Sequence, residues 1–295
     1  MNARRKLVGL VGANIMRSLS PALHEDAFAA AGMLGHYHLM DLDRLPGSSL
    51  EGLLAAVKVA GFDGINVTYP LKQTVMPMLD ELSAEARQIG AANTVTIAPD
   101  RHTTGYNTDR TGFRRSFEEG LSRGSVDGKP AVLVGAGGAG RAVAFALMDL
   151  GAACVHIHDT DRARAQSLAA DLVLHYGSSR AIPAASLAGA IASAAGVVNA
   201  TPTGMTGFPG NPVPAAALRA DLWVADVIYT PIETELINAA RARGCRTLTG
   251  GGMCVHQAAE SFRLFTGVAP DIARMHRTFA RALAERDRAL ACTQR

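Results

Sequence analysis

A glycine-rich segment at residues 132–140, VLVGAGGAG, restricts the possible folds of this chain more than any other feature. The apolar residues before the turn are typical of a buried strand, and residues 141–150 continue with a helical pattern that ends at Gly151. A strand, a glycine turn and a helix in this order open the βαβ unit that binds dinucleotides. The same glycines could serve a packing turn alone, so the flanking strand and helix carry the interpretation. The segment predicts a Rossmann-type, doubly wound domain.

Each position of this turn has an expected task. Gly135 permits the tight turn, while Gly137 and Gly138 let backbone N–H groups approach a pyrophosphate. Gly140 allows the helix to pack closely on the strand. The positive end of the helix then stabilises the phosphate charge. We therefore expect the cofactor to contact Gly135, Ala136, Gly137, Gly138, Ala139 and Gly140.

The residue that follows the next strand indicates which dinucleotide is bound. The strand CVHIH ends at Asp159, which lies 19 residues after Gly140. A carboxylate there can accept both ribose hydroxyls of NAD, and it repels the 2′-phosphate of NADP. Thr160 follows Asp159, so no basic residue lies directly beside it to bind the 2′-phosphate of NADP. Arg162 and Arg164 are close in sequence, however, so we include Arg164 among the expected cofactor contacts and leave NADP open.

The length and composition indicate a globular protein that is long enough for two domains, each with its own hydrophobic core. The 295 residues are 48% hydrophobic and 19% charged, with a formal net charge of +3. This balance disfavours disorder, nucleic-acid binding and membrane-surface binding. The uncharged stretch 181–218 is broken by five prolines, so we do not expect it to span a membrane. The four cysteines form no close C-x-x-C pair, which fits a reducing cytoplasm.

Strand-like and helix-like stretches alternate along the whole chain, which predicts an α/β protein with parallel or mixed sheets covered by helices. In the first part we expect strands at 6–11, 36–42, 62–68 and 93–98, and helices at 47–60 and 71–88. Ser20 and Pro21 would cap and open another helix. Later, a helix near 108–119 precedes strands at 131–134, 154–158, 196–200, 223–228 and 246–248, and helices at 254–266 and 270–290 complete the chain.

Several further segments resemble the shikimate dehydrogenase family, including its NAD-type quinate/shikimate dehydrogenase branch. The resemblance runs nearly end to end and includes SLSPALHE (18–25), NVTYPLK (66–72), GAANTV (90–95), GYNTDRTGF (105–113), VGAGGAGRA (134–142), NATPTGM (199–205), DVIYTPIETELI (226–237) and GGMCVHQAAESF (251–262). It implies reversible oxidation of shikimate to 3-dehydroshikimate, and also of quinate to 3-dehydroquinate. Such activity belongs to the shikimate pathway of aromatic amino acid biosynthesis or to quinate catabolism.

The chemistry of that reaction agrees with two residues in these segments. Oxidation of a ring hydroxyl needs a base for its proton while hydride leaves the same carbon. By the resemblance, Lys72 and Asp109 form this catalytic pair, in which Asp109 orients Lys72 and contacts the substrate. A purely structural ion pair is the alternative. The resemblance also implies substrate contacts at Ser18, Ser20, Thr68, Lys72, Asn93, Asp109, Tyr229 and Gln257.

Some of these residues also have simpler interpretations. Ser20 could serve only as a helix cap, and Asn93 and Gln257 could satisfy buried backbone groups. By the resemblance, the cofactor also contacts Thr201, Val227, Gly250 and Met253, although Met253 would otherwise be ordinary core. The histidine pairs 36/38 and 156/158 would need a third ligand to bind a metal, and we can place none from the sequence, so we interpret them as ordinary strand histidines. The lysine and the nicotinamide cover the chemistry, so we expect no metal.

We expect an N-terminal α/β substrate domain at residues 1–110, completed by the C-terminal helices at 254–295. A dinucleotide-binding domain would occupy 111–253, with the active site in a cleft between the two. NADP-dependent biosynthetic relatives usually carry Asn-Arg-Thr where this chain has Asp159-Thr160-Asp161, which favours an NAD enzyme. The alternatives are an NADP-dependent biosynthetic shikimate dehydrogenase and a non-catalytic NAD-binding sensor. We expect a monomer or homodimer that binds small molecules.

Overall fold

The computed structural model describes residues 5–293 and divides into two compact units. The first unit runs to Thr108 and resumes at Val255, and the second runs from Asp109 to Cys254. The first four and last two residues of the expected domain spans lie outside the described residues. Among the described helices, none combines the length and the apolar character needed to cross a membrane.

The first unit contains a mixed six-stranded sheet in the order β2-β1-β3-β5-β6-β4. Its strands are β1 (Arg5–Gly12), β2 (Leu34–Asp41), β3 (Gly64–Val67), β4 (Glu81–Leu82), β5 (Thr94–Ile97) and β6 (Thr103–Tyr106). Strand β1 is parallel to β2 and β3, while β5 is antiparallel to both β3 and β6. The helices of the first part are α1 (Ser20–Ala30), α2 (Leu50–Val59) and α3 (Ala84–Ile89).

Alternating side chains of β1 supply two separate cores, one on each face of this sheet. Val11 belongs to a cluster with Leu54 and Val57 of α2. Val8 and Leu10 belong to another cluster, which includes Phe28 of α1. Both faces of the sheet are therefore covered by apolar side chains, and polar residues lie where the strands end.

The second unit contains a parallel six-stranded sheet in the order β12-β11-β10-β7-β8-β9. Its strands are β7 (Pro130–Val134), β8 (Cys154–His158), β9 (Ala181–Pro183), β10 (Gly196–Asn199), β11 (Trp223–Asp226) and β12 (Arg246–Leu248). The helices are α4 (Asp109–Gly120), α5 (Gly138–Asp149), α6 (Arg162–Tyr176), α7 (Leu187–Ser193) and α8 (Glu235–Ala242). This strand order is that of the doubly wound dinucleotide-binding fold. The predicted α/β class and Rossmann-type domain are confirmed.

Two further helices follow β12, namely α9 (Gly250–Thr266) and α10 (Ile272–Thr293). Helix α9 begins four residues before its expected start. The glycines at 250–252 therefore lie inside the helix. Arg274 of α10 forms a two-pronged ion pair with Asp26 of α1, in which Nε and Nη2 each lie 2.8 Å from a carboxylate oxygen. This pair fixes α10 against α1 within the first unit.

The expected helix at 71–88 is wrong. The chain there forms turns, a single 3-10 turn at Met76–Met78, the two-residue strand β4 and only then the short helix α3. Pro77 lies inside the expected helix, where it removes one backbone donor. The Asp80 carboxylate accepts the backbone N–H and the hydroxyl of Thr103, at 2.8 and 2.6 Å, and so ties this segment to β6. Strand β6 itself was not predicted.

Candidate active site

The ends of three strands meet at one edge of the first sheet. Val11 of β1 pairs with Val67 of β3, and Asn66 pairs with Thr94 at the start of antiparallel β5. The loops that leave these ends are also hydrogen-bonded to one another. The backbone N–H of Ala13 donates to the carbonyl of Tyr69 at 2.9 Å, and that of Ala92 donates to the carbonyl of Lys72 at 2.8 Å. The structure thus gathers the segments that carry Ser18, Ser20, Thr68, Lys72 and Asn93.

Two serine hydroxyls lie side by side in the loop after β1. The Oγ atoms of Ser18 and Ser20 are 3.1 Å apart, and the backbone N–H of Ser20 donates to Ser18 Oγ at 3.2 Å. Leu19, rather than Ser20, is the capping residue of α1, and its own side chain makes no capping hydrogen bond. The cap interpretation of Ser20 is therefore wrong. Its hydroxyl belongs to a pair at a helix N-terminus, where an anion is stabilised.

A buried aspartate shapes this loop and was not predicted from the sequence. The carboxylate of Asp41, at the end of β2, accepts backbone N–H groups of Asn14 and Ile15, each at 3.1 Å. It is 4% exposed. Because backbone donors in a loop otherwise need water, this carboxylate fixes the path that leads to Ser18. The signal available in sequence was an acidic residue at the end of a hydrophobic strand.

Asn93 precedes β5 and has its carboxamide orientation fixed. Its Oδ1 accepts the backbone N–H of Thr108 at 2.8 Å, so its Nδ2 must point the other way. The Nδ2 donates to Thr108 Oγ1 at 2.9 Å. Among the residues that the structure describes, this hydroxyl is its one acceptor, which leaves a second N–H able to donate to a ligand. Asn93 thus satisfies a buried backbone group, as one interpretation held, and keeps a donor as well.

Helix α9 reaches the same edge through Ser261, another residue that was not predicted. Ser261 Oγ lies 2.9 Å from Thr94 Oγ1 and 3.2 Å from Thr108 Oγ1, and it donates to the carbonyl of Gln257 at 2.9 Å. Asn66 Nδ2 donates to the same Ser261 oxygen at 3.0 Å. Gln257, half-buried one turn earlier in α9, is therefore held near the polar edge.

The two residues predicted to be catalytic have different positions in the fold. Lys72 is half-buried in the first unit, four residues beyond Thr68. Asp109 is buried, begins α4 and is the first residue of the second unit. Thr108, held by Asn93, immediately precedes it. The catalytic pairing of Lys72 with Asp109 stays a prediction.

The glycine turn of the second unit has the geometry that a pyrophosphate requires. Gly135 adopts a φ of +101°, which favours glycine. A Cβ atom at Gly140 would lie 1.9 Å from the Gly135 carbonyl oxygen, so the close helix packing predicted for Gly140 is present. A Cβ atom at Gly137 would meet nothing within 4 Å. Open space therefore lies at the N-terminus of α5, whose first backbone N–H groups have no partner inside the helix. These features fit a dinucleotide phosphate.

The carboxylate of Asp159 lies directly against this turn. Its Oδ2 accepts the backbone N–H of Ala136 at 2.7 Å, and its Oδ1 accepts that of Asp161 at 2.8 Å. Both bonds fix the carboxylate against the glycine turn, and Oδ2 keeps a lone pair that a ligand hydroxyl could use. Arg164 is in the first turn of α6, with Nε 3.4 Å from Asp161 Oδ2 and an exposed side chain. Its contact with the cofactor stays a prediction.

A second buried network joins the loops after β10 and β11. Asn199 Oδ1 accepts the backbone N–H and the hydroxyl of Thr201, at 2.9 and 2.7 Å, while its Nδ2 donates to Asp226 Oδ1 at 3.1 Å. The backbone N–H of Val227 donates to the carbonyl of Asn199 at 3.1 Å. Burial raises the pKa of Asp226 to about 6, while hydrogen bonds from Ile228, Thr234 and Asn199 act in the opposite direction. Asp226 was not among the predicted site residues.

Three more predicted site residues, Tyr229, Gly250 and Met253, belong to the second unit. A Cβ atom at Gly250 would lie 2.3 Å from the Val227 carbonyl oxygen, so the start of α9 touches the loop after β11. Met253 is buried one turn later, and Tyr229 is half-buried in that loop. The predicted substrate contact Tyr229 lies in the same loop as the predicted cofactor residue Val227, and its contact with the substrate stays a prediction.

Two family models match the chain. The shikimate dehydrogenase substrate binding domain matches residues 10–95, and the shikimate 5′-dehydrogenase C-terminal domain matches residues 250–278. The first match covers the serine pair, Thr68, Lys72 and Asn93. The second covers the start of α9 with Gly250, Met253 and Gln257.

Complete relatives align along nearly all of the chain. A quinate/shikimate dehydrogenase (NAD⁺) of Corynebacterium efficiens is 47% identical over 283 residues, which are 95% of this chain and 99% of the relative. A shikimate dehydrogenase (NADP⁺) of Streptomyces avermitilis is 49% identical over 91% of this chain and 93% of its own. The solved quinate dehydrogenase from Corynebacterium glutamicum in complex with NAD has a TM-score of 0.85 at 46% identity, over 94% of this chain and 99% of that one. With its doubly wound unit, its ordered polar edge and this similarity along its length, the chain belongs to the shikimate dehydrogenase family.

Proposed function

We propose that this enzyme oxidises shikimate to 3-dehydroshikimate, and quinate to 3-dehydroquinate more slowly, with NAD as the hydride acceptor. The observation that carries the proposal is the polar edge of the first sheet. Hydroxyls and an amide of fixed orientation collect there, and the backbone N–H of Ala92, next to Asn93, donates to the carbonyl of Lys72 at 2.8 Å. A polyhydroxylated acid offers the matching groups. Its ring hydroxyls accept hydrogen bonds from N–H donors, and its carboxylate accepts hydrogen bonds from hydroxyl donors.

Each residue at the edge has a task in this reaction. The hydroxyls of Ser18 and Ser20 bind the carboxylate, and the free N–H of Asn93 donates to a ring hydroxyl. The ring hydroxyl that reacts gives its proton to Lys72 Nζ, and Asp109 orients that amine. The same carbon loses its hydrogen as hydride, so the C–O bond becomes a carbonyl. When bound, the nicotinamide supplies the hydride acceptor.

The choice of NAD over NADP rests on Asp159. Overall identity does not discriminate, because relatives named for NAD and for NADP are 47% and 49% identical. The carboxylate is already held by the backbone of Ala136 and cannot swing away without losing that bond. A 2′-phosphate beside it would face a fixed negative charge. The ribose hydroxyls of NAD would instead donate to it.

A direct assay tests the proposal. The purified chain is mixed with shikimate and NAD, and formation of NADH is followed by its absorbance. Turnover with saturable dependence on both compounds is the expected result. A chain that binds NAD without any turnover of shikimate or quinate is instead a non-catalytic sensor, and the proposal is then wrong.

Two properties beyond the reaction also belong to this proposal. We place the enzyme in the cytoplasm, since Cys154, Cys245, Cys254 and Cys292 are present as thiols and not as disulfides, and the cytoplasm keeps thiols reduced. We propose a monomer or a homodimer, which sedimentation at several protein concentrations distinguishes.

A further inference from the structure

We infer that Asp226 is a positioning residue for the cofactor side of the reaction. Its carboxylate fixes the loop after β10 and the loop after β11 in a single arrangement. The inference rests on the proposed function, because Thr201 and Val227 in these loops are the residues that the family resemblance predicts to contact its cofactor.

Three donors from three different places converge on this carboxylate. Oδ1 accepts from Asn199 Nδ2 at 3.1 Å and from the backbone N–H of Ile228 at 3.0 Å. Oδ2 accepts from Thr234 Oγ1 at 2.8 Å. Asp226 is 2% exposed, so water does not replace these bonds. A buried donor that loses its acceptor is costly, and the three donors therefore hold their positions around Asp226.

The side chain of Asn199 cannot rotate to avoid this role. Its Oδ1 accepts the backbone N–H of Thr201, which can only donate, so its Nδ2 must point to Asp226. The same Nδ2 also donates to the carbonyl of Thr203 at 3.1 Å. The loop after β10 is thus attached through one amide to the carboxylate at the end of β11. Without that carboxylate, the amide nitrogen keeps only the carbonyl of Thr203.

Thr234 has a fixed orientation for a similar reason. Its hydroxyl oxygen accepts the backbone N–H of Ile237 at 3.3 Å and caps α8, so its proton is available for Asp226. Asp226 thereby joins both loops to the start of α8. The arrangement extends to α9, because the backbone N–H of Gly250 donates to the carbonyl of Ile228 at 3.2 Å. The positions of Thr201, Val227 and Gly250 all depend on this one side chain.

The role needs hydrogen-bonding geometry more than charge. An asparagine at 226 keeps an acceptor for Asn199 and Ile228, and its amide can donate to Thr234 Oγ1. An alanine offers neither. Asp226→Ala should therefore lose the arrangement, and Asp226→Asn should restore most of it.

Trp223→Phe is the matched control. Trp223 lies at the opposite end of β11 and is fully buried, with Nε1 donating to the carbonyl of Ser125 at 3.2 Å. The variant loses a buried hydrogen bond and some packing in the same strand, far along it from the two loops. It reports what a general loss of stability in this unit does to cofactor binding.

The test measures the Kd for NAD by titration calorimetry and the steady-state constants of the full-length variants. With the loss of two or more buried hydrogen bonds, the Kd and the KM for NAD should rise by about 10-fold or more in Asp226→Ala. The KM for shikimate should change by less than about 2-fold, and Asp226→Asn should stay within about 5-fold of the unmodified enzyme for NAD. Trp223→Phe should leave the Kd for NAD unchanged.

Three results would overturn the inference: an unchanged Kd for NAD in Asp226→Ala, an equal rise in both KM values, or the same rise in Trp223→Phe. If Asp226→Ala does not fold, Asn199→Ala takes its place with the same expectations. The unmodified enzyme separates this inference from the proposed function. If it does not turn over shikimate with NAD, the proposed function fails, whereas turnover with NAD binding that is insensitive to residue 226 refutes only the positioning role.

Discussion

The carboxylate of Asp159 accepts the backbone N–H of Ala136 at 2.7 Å, which joins the end of β8 to the glycine turn after β7. These two strands are neighbours in the parallel sheet, with Val134 paired to His158. The residue that is predicted to bind the ribose and the turn that is predicted to bind the pyrophosphate are therefore joined by a direct hydrogen bond. We expect cofactor selectivity in this chain to depend on the charge that this bond holds in place.

Removal of that charge should narrow the preference for NAD. Asp159→Ala should weaken NAD binding by about 1–3 kcal/mol, since the ribose hydroxyls lose their acceptor. It should also raise kcat/KM with NADP. Asp161→Ala is the control, because this neighbouring carboxylate caps α6 through Ala163 and is not held against the turn. Kinetics with both dinucleotides measure the effect, and an unchanged ratio of the two kcat/KM values in Asp159→Ala would contradict it.

Loss of the lysine base should lower the rate and preserve binding. Lys72→Ala should lower kcat by about 10²- to 10⁴-fold, the usual range for a positioned acid–base group, with the Kd for NAD unchanged. Lys72 and Asp109 should act as a unit, so the double variant with Asp109→Asn should lose much less than the product of the single losses. Lys58→Ala, which removes a lysine 3.4 Å from Asp80, should keep full kcat. Near-normal kcat for Lys72→Ala at neutral pH would remove Lys72 from the mechanism.

The serine pair should set the choice between the two acids. Shikimate and quinate differ at the carbon that bears the carboxylate, which we propose that the Ser18 and Ser20 hydroxyls bind. Ser20 is 7% exposed, so an added methyl has little free space. Ser20→Thr should therefore change the ratio of kcat/KM for quinate over shikimate, by an amount equivalent to about 1–3 kcal/mol.

The matched control for this change is Ser83→Thr. Ser83 caps α3 in the same unit, where its hydroxyl accepts the N–H of Ala86 at 3.0 Å, and threonine can cap as well. The ratio should not move in this variant. The same ratio in Ser20→Thr as in the unmodified enzyme would mean that this position does not discriminate between the acids.

Asp226 should make stability depend on pH. Burial raises its pKa to about 6, from an ordinary value of 3.8, so the folded protein holds the proton more tightly than the unfolded chain. The contribution of protonated Asp226 to the free energy of unfolding is fully present below the pKa that Asp226 has in the unfolded chain. It is lost as the pH rises through about 6. The difference between these two pKa values corresponds to about 3 kcal/mol of stability.

The side chain introduced by Asp226→Asn does not titrate, so this variant isolates the pH-dependent contribution of Asp226 to stability. Between about pH 4 and about pH 7.5, its free energy of unfolding relative to the unmodified protein should rise by up to about 3 kcal/mol. Urea unfolding at both pH values measures the difference. A difference that stays constant with pH would show that Asp226 has the same pKa in the folded and unfolded protein.

The α/β class and the Rossmann-type unit could be predicted because local patterns specify them. The glycine turn needs Gly135 and Gly140 for reasons of backbone space alone, and the burial of β7 on both faces gives a continuous apolar run. The prediction of a helix at 71–88 was wrong because a long-range contact, and not a local pattern, determines the structure there. The segment is held by Asp80 and Thr103, which are 23 residues apart, and no local pattern contains that contact.

Ser261 and Asp226, which hold other site residues in place, were not predicted for the same reason. Ser261 bonds to Asn66, which is 195 residues away, and Asp226 bonds to Asn199 on a neighbouring strand. A buried asparagine within a strand and an aspartate at a strand end are visible in the sequence as polar residues in apolar surroundings. Their partners become evident only when the sheet order is known.

The most direct test of the account is steady-state kinetics of the unmodified enzyme with shikimate and quinate, each with NAD and NADP, at one pH. We predict the highest kcat/KM for shikimate with NAD, a lower measurable value for quinate with NAD, and much lower values for both acids with NADP. A higher kcat/KM with NADP than with NAD would contradict the role of Asp159, and no turnover of either acid would contradict the proposed reaction itself.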